Sequence, residues 1–474
     1  MEPTTHQTNN QKFHRIEKDL LGEQTVPATA LYGIQTQRAQ QNFNVTGVPI
    51  SHFSELVTAL AMVKFAAAKA NHQHCLLSDD KTKAITEACA EIIDGEYHEQ
   101  FIVDLIQGGA GTSTNMNANE VIANIGLTKM GFEYGQYEYL HPNNDVNRSQ
   151  STNDVYPTAA RLAIILAAQP LKKAVAKLQL SLATKGQEFN DVLKMGRTQM
   201  QDAVPMTLGQ EFNAFASDLG GETARIDHSC RQLCEVNLGG TAIGTGINAP
   251  KGYAHLAISE LAAISGLRVR LAEDLVAASA DMGAFLTFSG TLKRLAIKLS
   301  KLSNDLRLLS SGPRTGFGEI NLPAMQPGSS IMPGKVNPVI PEAMNQTAFQ
   351  IMGTDMTITM AAEAGQLQLN AMEPLIIYNL LNNARMLEKS IRMLDELCIQ
   401  GITANKERCA QHVENSIGIV TALVPHIGYD NASRIAGQAL LSGLGVAELV
   451  KQEELLSEEE LATILSPNGM VSSI

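Results

Sequence analysis

Leucines at positions 292, 295, 299, 302, 306 and 309 follow spacings of 3, 4, 3, 4 and 3. That rhythm places them on one stripe of an α-helix, the seam along which long helices pack side by side. Gly312 and Pro313 close the segment. Arg161 to Leu182 and Leu367 to Leu397 are two more long helical stretches, the first expected to bend at Pro170. Residues 55–70 (ELVTALAMVKFAAAKA) have helical composition, and Ser78 with Asp79 and Asp80 reads as the cap of the next helix. Ser457 ahead of Glu458, Glu459 and Glu460 suits the positive end of a short helix near the C-terminus. Several seamed helices together predict an all-α fold with a central helix bundle.

Between the helical stretches lie segments with too few apolar residues to build a core. The first ~20 residues read as a loosely ordered polar arm. Residues 108–119, 150–154 and 196–202 are islands of small polar residues, and a proline-rich loop runs from Pro323 to Pro341 before a helix resumes near Glu342.

The 474-residue length predicts two or three structural units. Aromatics make up 5% and Trp is absent, so the core rests on aliphatic residues and Met, which suits packed helices. The net charge of −12 opposes a general nucleic-acid or anionic-membrane role, yet leaves room for a locally positive pocket that takes a small dianion. The six cysteines form no CxxC pair and are expected to be reduced thiols. The N-terminus lacks the apolar core of a secretory signal, and the apolar run Leu162 to Ala168 falls far short of the ~20 residues of a membrane span. A cytoplasmic protein is expected.

The segment GSSIMPGKVNP (328–338) concentrates the chemistry. It superficially resembles a phosphate-binding P-loop, but five residues separate Gly328 from Gly334, and Val336 stands where that motif needs a hydroxyl. What is left is a hydroxyl-bearing loop with a cation. Backbone N–H groups of a Gly-rich turn can stabilise a serine alkoxide, and Lys335 favours an anion beside it. His72, His74 and Cys75 are the one tight ligand-like cluster, and they lack zinc spacing. Gly244-Thr245-Gly246 lacks the third glycine of a dinucleotide fingerprint.

Four islands carry hydroxyls: GGAGTSTNMNANE (108–120), QSTNDVYPT (150–158), GRTQMQDAVPMTLGQE (196–211) and GSSIMPGKVNP (328–338). Together they resemble the aspartase/fumarase superfamily, and the last resembles its signature loop. The likeness runs from LLGEQTVPATALYGIQTQRA (20–39) to EEELATILSPNGM (458–470). Within the superfamily, Gln199 stands where fumarases typically carry His, and AEAGQLQLNAMEP (362–374) resembles the aspartase branch. The class II fumarase branch is the alternative.

The resemblance implies reversible elimination of ammonia from L-aspartate to give fumarate, with Ser329 as general base on the Cβ proton. Thr112, Ser151, Thr152 and Ser330 would hold the β-carboxylate, and Lys335 and Asn337 the α-carboxylate. Asn153, Thr198 and Gln199 would surround the amino group. Glu342 matches the acidic partner of the fumarase His, and its role beside Gln199 is left open. The resemblance also implies a homotetramer with each site drawn from three subunits. It implies no required cofactor, and leaves activation by a divalent cation undecided. The matching domain division is an N-terminal helical domain (1–150), a central helix-bundle domain (151–405) and a small C-terminal helical domain (406–474).

Elementary chemistry fits such a site. The Cβ proton is barely acidic, so the barrier lies in forming a carbanion that spreads into the β-carboxylate as an aci-carboxylate. Fixed hydroxyl donors contribute most where that charge develops. The amine is already protonated at neutral pH and can leave as such, so a neutral Gln199 suffices.

Overall fold

A computed structural model describes residues 13–471. Helices dominate. Along the chain run α1 (Ile34–Asn42), α2 (Ser54–Gln73), α3 (Asp79–Ile93), α4 (Thr112–Lys129), α5 (Thr152–Glu188), α6 (Leu208–Leu219), α7 (Glu222–Leu233) and α8 (Tyr253–Ser265). A short α9 (Leu275–Ala278) precedes three long helices, α10 (Gly283–Leu309), α11 (Val339–Glu363) and α12 (Glu373–Leu397). Short helices occupy Lys406 to Met470. Strand pairs are small: β1 (His14–Asp19) with β2 (Gly22–Pro27), and β3 (Leu193–Thr198) with β4 (Gln201–Thr207), both antiparallel.

The chain forms two compact units. The first comprises residues 1–171, 224–293 and 351–386; the second comprises 172–223, 294–350 and 387–474. The long helices α5, α10, α11 and α12 each contribute to both. In the first unit the Arg161 guanidinium of α5 lies 4.9 Å from the Phe285 ring of α10, and Ser289 of α10 donates to Asp355 of α11 at 2.7 Å. In the second, Asn345 of α11 donates to Ser300 of α10, Thr347 pairs with Ser390 of α12 at 2.9 Å, and Lys177 of α5 reaches Glu396 of α12 at 2.8 Å. The six seam leucines of α10 are all buried, so the 3–4 rhythm does mark the core. A separate apolar core of Val413, Leu423, Ile435, Val450 and Leu461 supports the C-terminal short helices, with Met195 of β3 packed into it.

Several boundaries differ from the sequence pattern. The stretch 196–202 is a β-hairpin rather than a loop between helices, because β3 and β4 pair directly across a two-residue turn. The polar arm expected over the first ~20 residues lies outside the described residues up to position 12; from His14 the chain is strand. α12 begins at Glu373 rather than at Leu367, which has a φ of 56° that no α-helix accommodates; Pro374 then supplies a preset helical φ in the first turn. Pro170 lies inside the 37-residue α5. Among the described residues, no helix is long and apolar enough to cross a membrane. The six cysteines are free thiols, five of them buried.

Candidate active site

In the first unit, three successive left-handed residues, Gly109, Ala110 and Gly111, turn the chain into α4, so Thr112 stands exposed at the helix start. Its hydroxyl donates to the Gly109 carbonyl at 2.7 Å. Gly111 is obligatory: a Cβ there would lie 2.4 Å from the Tyr156 ring of α5. Tyr156 thereby holds the 108–120 and 150–158 islands against each other. One turn further along α4, the Asn115 amide donates to the Thr152 hydroxyl at 3.0 Å.

The start of α5 is fixed from below by Asp154. This buried carboxylate accepts the backbone N–H of Ser151 (2.9 Å), Gly239 (2.9 Å) and Thr241 (3.0 Å). Burial pushes its pKa up to about 6, although those three hydrogen bonds work in the opposite direction. Asn153 is tied on both sides, its side-chain amide donating to the Ala242 carbonyl at 2.7 Å and its own carbonyl accepting from Asn237 at 3.0 Å. Ser151 is half-buried and Thr152 buried, so this island is a rigid, partly open shelf of hydroxyls at a helix N-terminus.

Beneath the shelf lies Lys64 of α2, fully buried. Its amine donates to the side-chain oxygens of Asn147 and Gln150, each at 2.9 Å. The same Asn147 oxygen also accepts from Asn115 and Asn119 at 3.1 Å. Burial brings the Lys64 pKa down to about 7, with the nearby Asp154 charge opposing the shift.

In the second unit, residues 328–338 close on themselves. Gly328 N–H donates to the Lys335 carbonyl at 2.7 Å, and the Asn337 amide donates to the Gly328 carbonyl at 2.9 Å. A Cβ on Gly328 would meet that Lys335 oxygen at 2.6 Å, so the ring closes only around glycine. Inside it, the Ser329 oxygen accepts the backbone N–H groups of Ile331 (3.2 Å) and Met332 (3.0 Å). Two oriented N–H dipoles on one hydroxyl oxygen favour its anionic form. Ser330 and Lys335 are exposed, and Glu342 sits half-buried in the first turn of α11.

Also in the second unit, Thr198 and Gln199 stand exposed at the end of the β3–β4 hairpin. The two turn residues, Gln199 and Met200, both have positive φ, 52° and 65°. Such values are uncommon for side chains of this size and cost on the order of 1–3 kcal/mol each. The hairpin is anchored by a buried ion cluster. Glu319, with no exposed surface, takes Arg197 at 2.7 Å and His412 at 3.0 Å on one oxygen. Lys194 lies 2.9 Å from its other oxygen, in ion-pair contact without the alignment of a good hydrogen bond. Lys194 also reaches Glu211 at 2.6 Å. Burial alone would raise the Glu319 pKa, but the neighbouring Lys194 and Arg197 charges, together with the Arg197 hydrogen bond, outweigh it and leave it below the ordinary carboxylate value.

The expected residues thus fall into three groups. Thr112, Ser151, Thr152 and Asn153 are brought together in the first unit. Ser329, Ser330, Lys335 and Asn337 share one closed loop in the second, where Thr198 and Gln199 share the hairpin tip. Sequence reasoning missed Asn115, Asp154, Lys64 and Glu319. A single lysine inside the apolar run AMVKFAAA (61–68) was a visible signal for Lys64; Glu319 had none, being one acidic residue in a glycine-rich loop. Among the described residues, no group of three or more His, Cys, Asp or Glu side chains is arranged to hold a metal ion.

A family model described as "Lyase" matches residues 22–353, and one described as "Fumarase C C-terminus" matches 419–472. The aspartate ammonia-lyase of Pseudomonas aeruginosa is 63% identical over 97% of this chain and 97% of its own. That of Escherichia coli K12 is 52% identical over 96% of each. Among solved structures, a fumarate lyase:delta crystallin from Brucella melitensis bound to cobalt shares 57% identity over 96% of this chain and 98% of its own, with a TM-score of 0.93. A class II fumarase from Schistosoma mansoni shares 37% over 96% and 98%, with a TM-score of 0.89. A matched lyase body with a fumarase C-type C-terminus, on a helical fold shared with solved relatives, means that this chain belongs to the aspartase/fumarase superfamily of lyases.

Proposed function

We propose that this chain is a carbon–nitrogen lyase that reversibly eliminates ammonia from L-aspartate to give fumarate, with Ser329 removing the Cβ proton. The observation that carries the chemistry is the pair of backbone N–H groups aimed at the Ser329 oxygen. They lower the cost of the alkoxide, and Lys335 in the same loop supplies a positive charge for an anionic substrate. The choice of aspartate over malate rests on the aspartate ammonia-lyases, at 63% and 52% identity, standing above the class II fumarase at 37%. A neutral Gln199 in place of a proton donor agrees, because ammonium needs no proton from the protein to depart.

Thr112, Ser151, Thr152 and Ser330 donate to the β-carboxylate, where the extra charge of the aci-carboxylate develops. Lys335 and Asn337 hold the α-carboxylate, and Asn153, Thr198 and Gln199 face the amino group. The active form is a homotetramer whose sites each draw on three subunits. Support comes from the exposure of Thr112, Thr198, Gln199, Ser330 and Lys335 in the isolated chain, since a water-free site needs them covered. α11 also exposes an apolar stripe of Phe349, Met356 and Met360 at helical spacing. We assign the functional domains to 1–150, 151–405 and 406–474, on the start of α5 at Thr152 and the separate core after Lys406. The proposed compartment is the cytoplasm.

The test is fumarate absorbance in the ultraviolet with L-aspartate and L-malate offered in parallel. Aspartate turnover is expected to exceed malate dehydration by orders of magnitude. Efficient malate dehydration without aspartate activity would replace this assignment with a fumarase.

A further inference from the structure

The β3–β4 hairpin ends in a turn its own sequence does not favour. A two-residue turn with positive φ at both positions is the niche of Asn-Gly or Asp-Gly, and here it is Gln199-Met200. The conformation must be imposed from outside the turn. Arg197, two residues before Gln199, is gripped by Glu319 at 2.7 Å and stacks 4.2 Å from the Phe317 ring centroid. Lys194, on the same strand, meets Glu319 at 2.9 Å.

Glu319 is itself held by its backbone. Its N–H donates to the Leu309 carbonyl and its carbonyl accepts from Asn405, both at 2.9 Å. The returning strand is held as well, with Asp202 accepting the Ser416 hydroxyl at 2.9 Å. Both strands are clamped, and only the tip with Thr198 and Gln199 is left open.

We infer that Glu319 is a positioning residue for the reaction: by clamping Lys194 and Arg197 it holds Thr198 and Gln199 where they meet the substrate's amino group. The inference rests on the proposed placement of Gln199 beside that group. Two cations and one imidazole nitrogen converge on this carboxylate. A neutral amide of the same shape offers one acceptor oxygen and no charge, so it would hold Arg197 or Lys194 but not both.

The experiment is steady-state kinetics of fumarate amination on full-length Glu319→Gln, Gln199→Ala and the double variant. Glu319→Gln is expected to raise the KM for ammonium about tenfold and that for fumarate less than about twofold, because only the amine-facing tip loosens. In the Gln199→Ala background the same change should have little further effect, since both act through one contact. If Glu319→Gln raises both KM values together, or costs the same factor with and without Gln199, its role is structural and the inference falls. If Gln199→Ala leaves the ammonium KM at the wild-type value, the placement of Gln199 is wrong and the inference falls with it. Arg197→Lys serves where Glu319→Gln does not fold: it keeps the charge but loses the fork and the stacking. It should shift the ammonium KM selectively, and an unchanged value would overturn the clamp.

Discussion

The Lys64 amine lies 2.9 Å from the Asn147 side-chain oxygen, with no exposed surface and only amide oxygens as hydrogen-bond acceptors. A buried amine held this way is disfavoured in its charged form, which is why its pKa falls from 10.5 to about 7. Between those values the unfolded chain binds more protons than the folded one, so this group makes stability rise with pH, by up to about 1.4 kcal/mol per unit. Its penalty is fully present below pH 7. The stability of Lys64→Met relative to wild type should therefore be most favourable below pH 7 and decline towards pH 10. Melting temperatures of both proteins from pH 6 to 10 check this; parallel curves would show that Lys64 does not titrate in that window.

Ser329→Ala should lower kcat drastically while leaving binding of a non-reactive aspartate analogue nearly intact, because the proposed role of the hydroxyl is on the Cβ proton rather than on a carboxylate. Retention of more than about a tenth of wild-type kcat, a loss under about 1.4 kcal/mol, would remove Ser329 as the base.

Lys335→Ala is expected to behave differently. Losing a hydrogen bond to a charged group costs about 1.5–3 kcal/mol, so analogue binding should weaken by one to two orders of magnitude. Calorimetric titration separates this binding defect from the chemical defect of Ser329→Ala.

Subunit sharing can be tested by mixing two inactive variants, Ser329→Ala and Thr198→Ala, under reversible dissociation. Hybrids should regain part of the activity, because some sites then draw both intact residues from different chains. Hybrids that form, as native mass spectrometry would show, and stay inactive would confine each site to one chain.

Glu319 also makes an acid-stability prediction. Its folded-state pKa lies below 4.5, so the stability it contributes is present above that value and is lost as pH falls through the lowered pKa. The stability gap between wild type and Glu319→Gln, about 3–5 kcal/mol near neutral pH for a broken buried pair, should narrow below pH 4.5. Denaturant titrations at pH 7 and pH 3.5 measure both ends of that range.

The sequence made the long helices readable because their burial is periodic. The leucines from 292 to 309 reach the core at every expected position, and the Ser78 and Ser457 caps each accept the N–H three residues on. It concealed what depends on tertiary pairing. The 196–202 island carries no strand alternation, and its hairpin forms because Glu319, more than a hundred residues away, draws Lys194 and Arg197 inward. The hydroxyl-bearing residues proposed for the site stand out in the sequence as motif positions. The groups that orient them, Asp154 and Lys64, do not, since a buried charge is recognised only once its partners are in place.

The ring closed by Gly328 with Lys335 and Asn337 bears on how this loop could ever move. Because its two ends are bonded to each other, a displacement at its margins carries Ser329 and Lys335 together, as the blade and handle of one tool. The oxygen proposed to take the proton and the cation proposed to receive the substrate would then keep their spacing whether the loop stands away from the substrate or against it. Loop motion would then gate access without retuning the base.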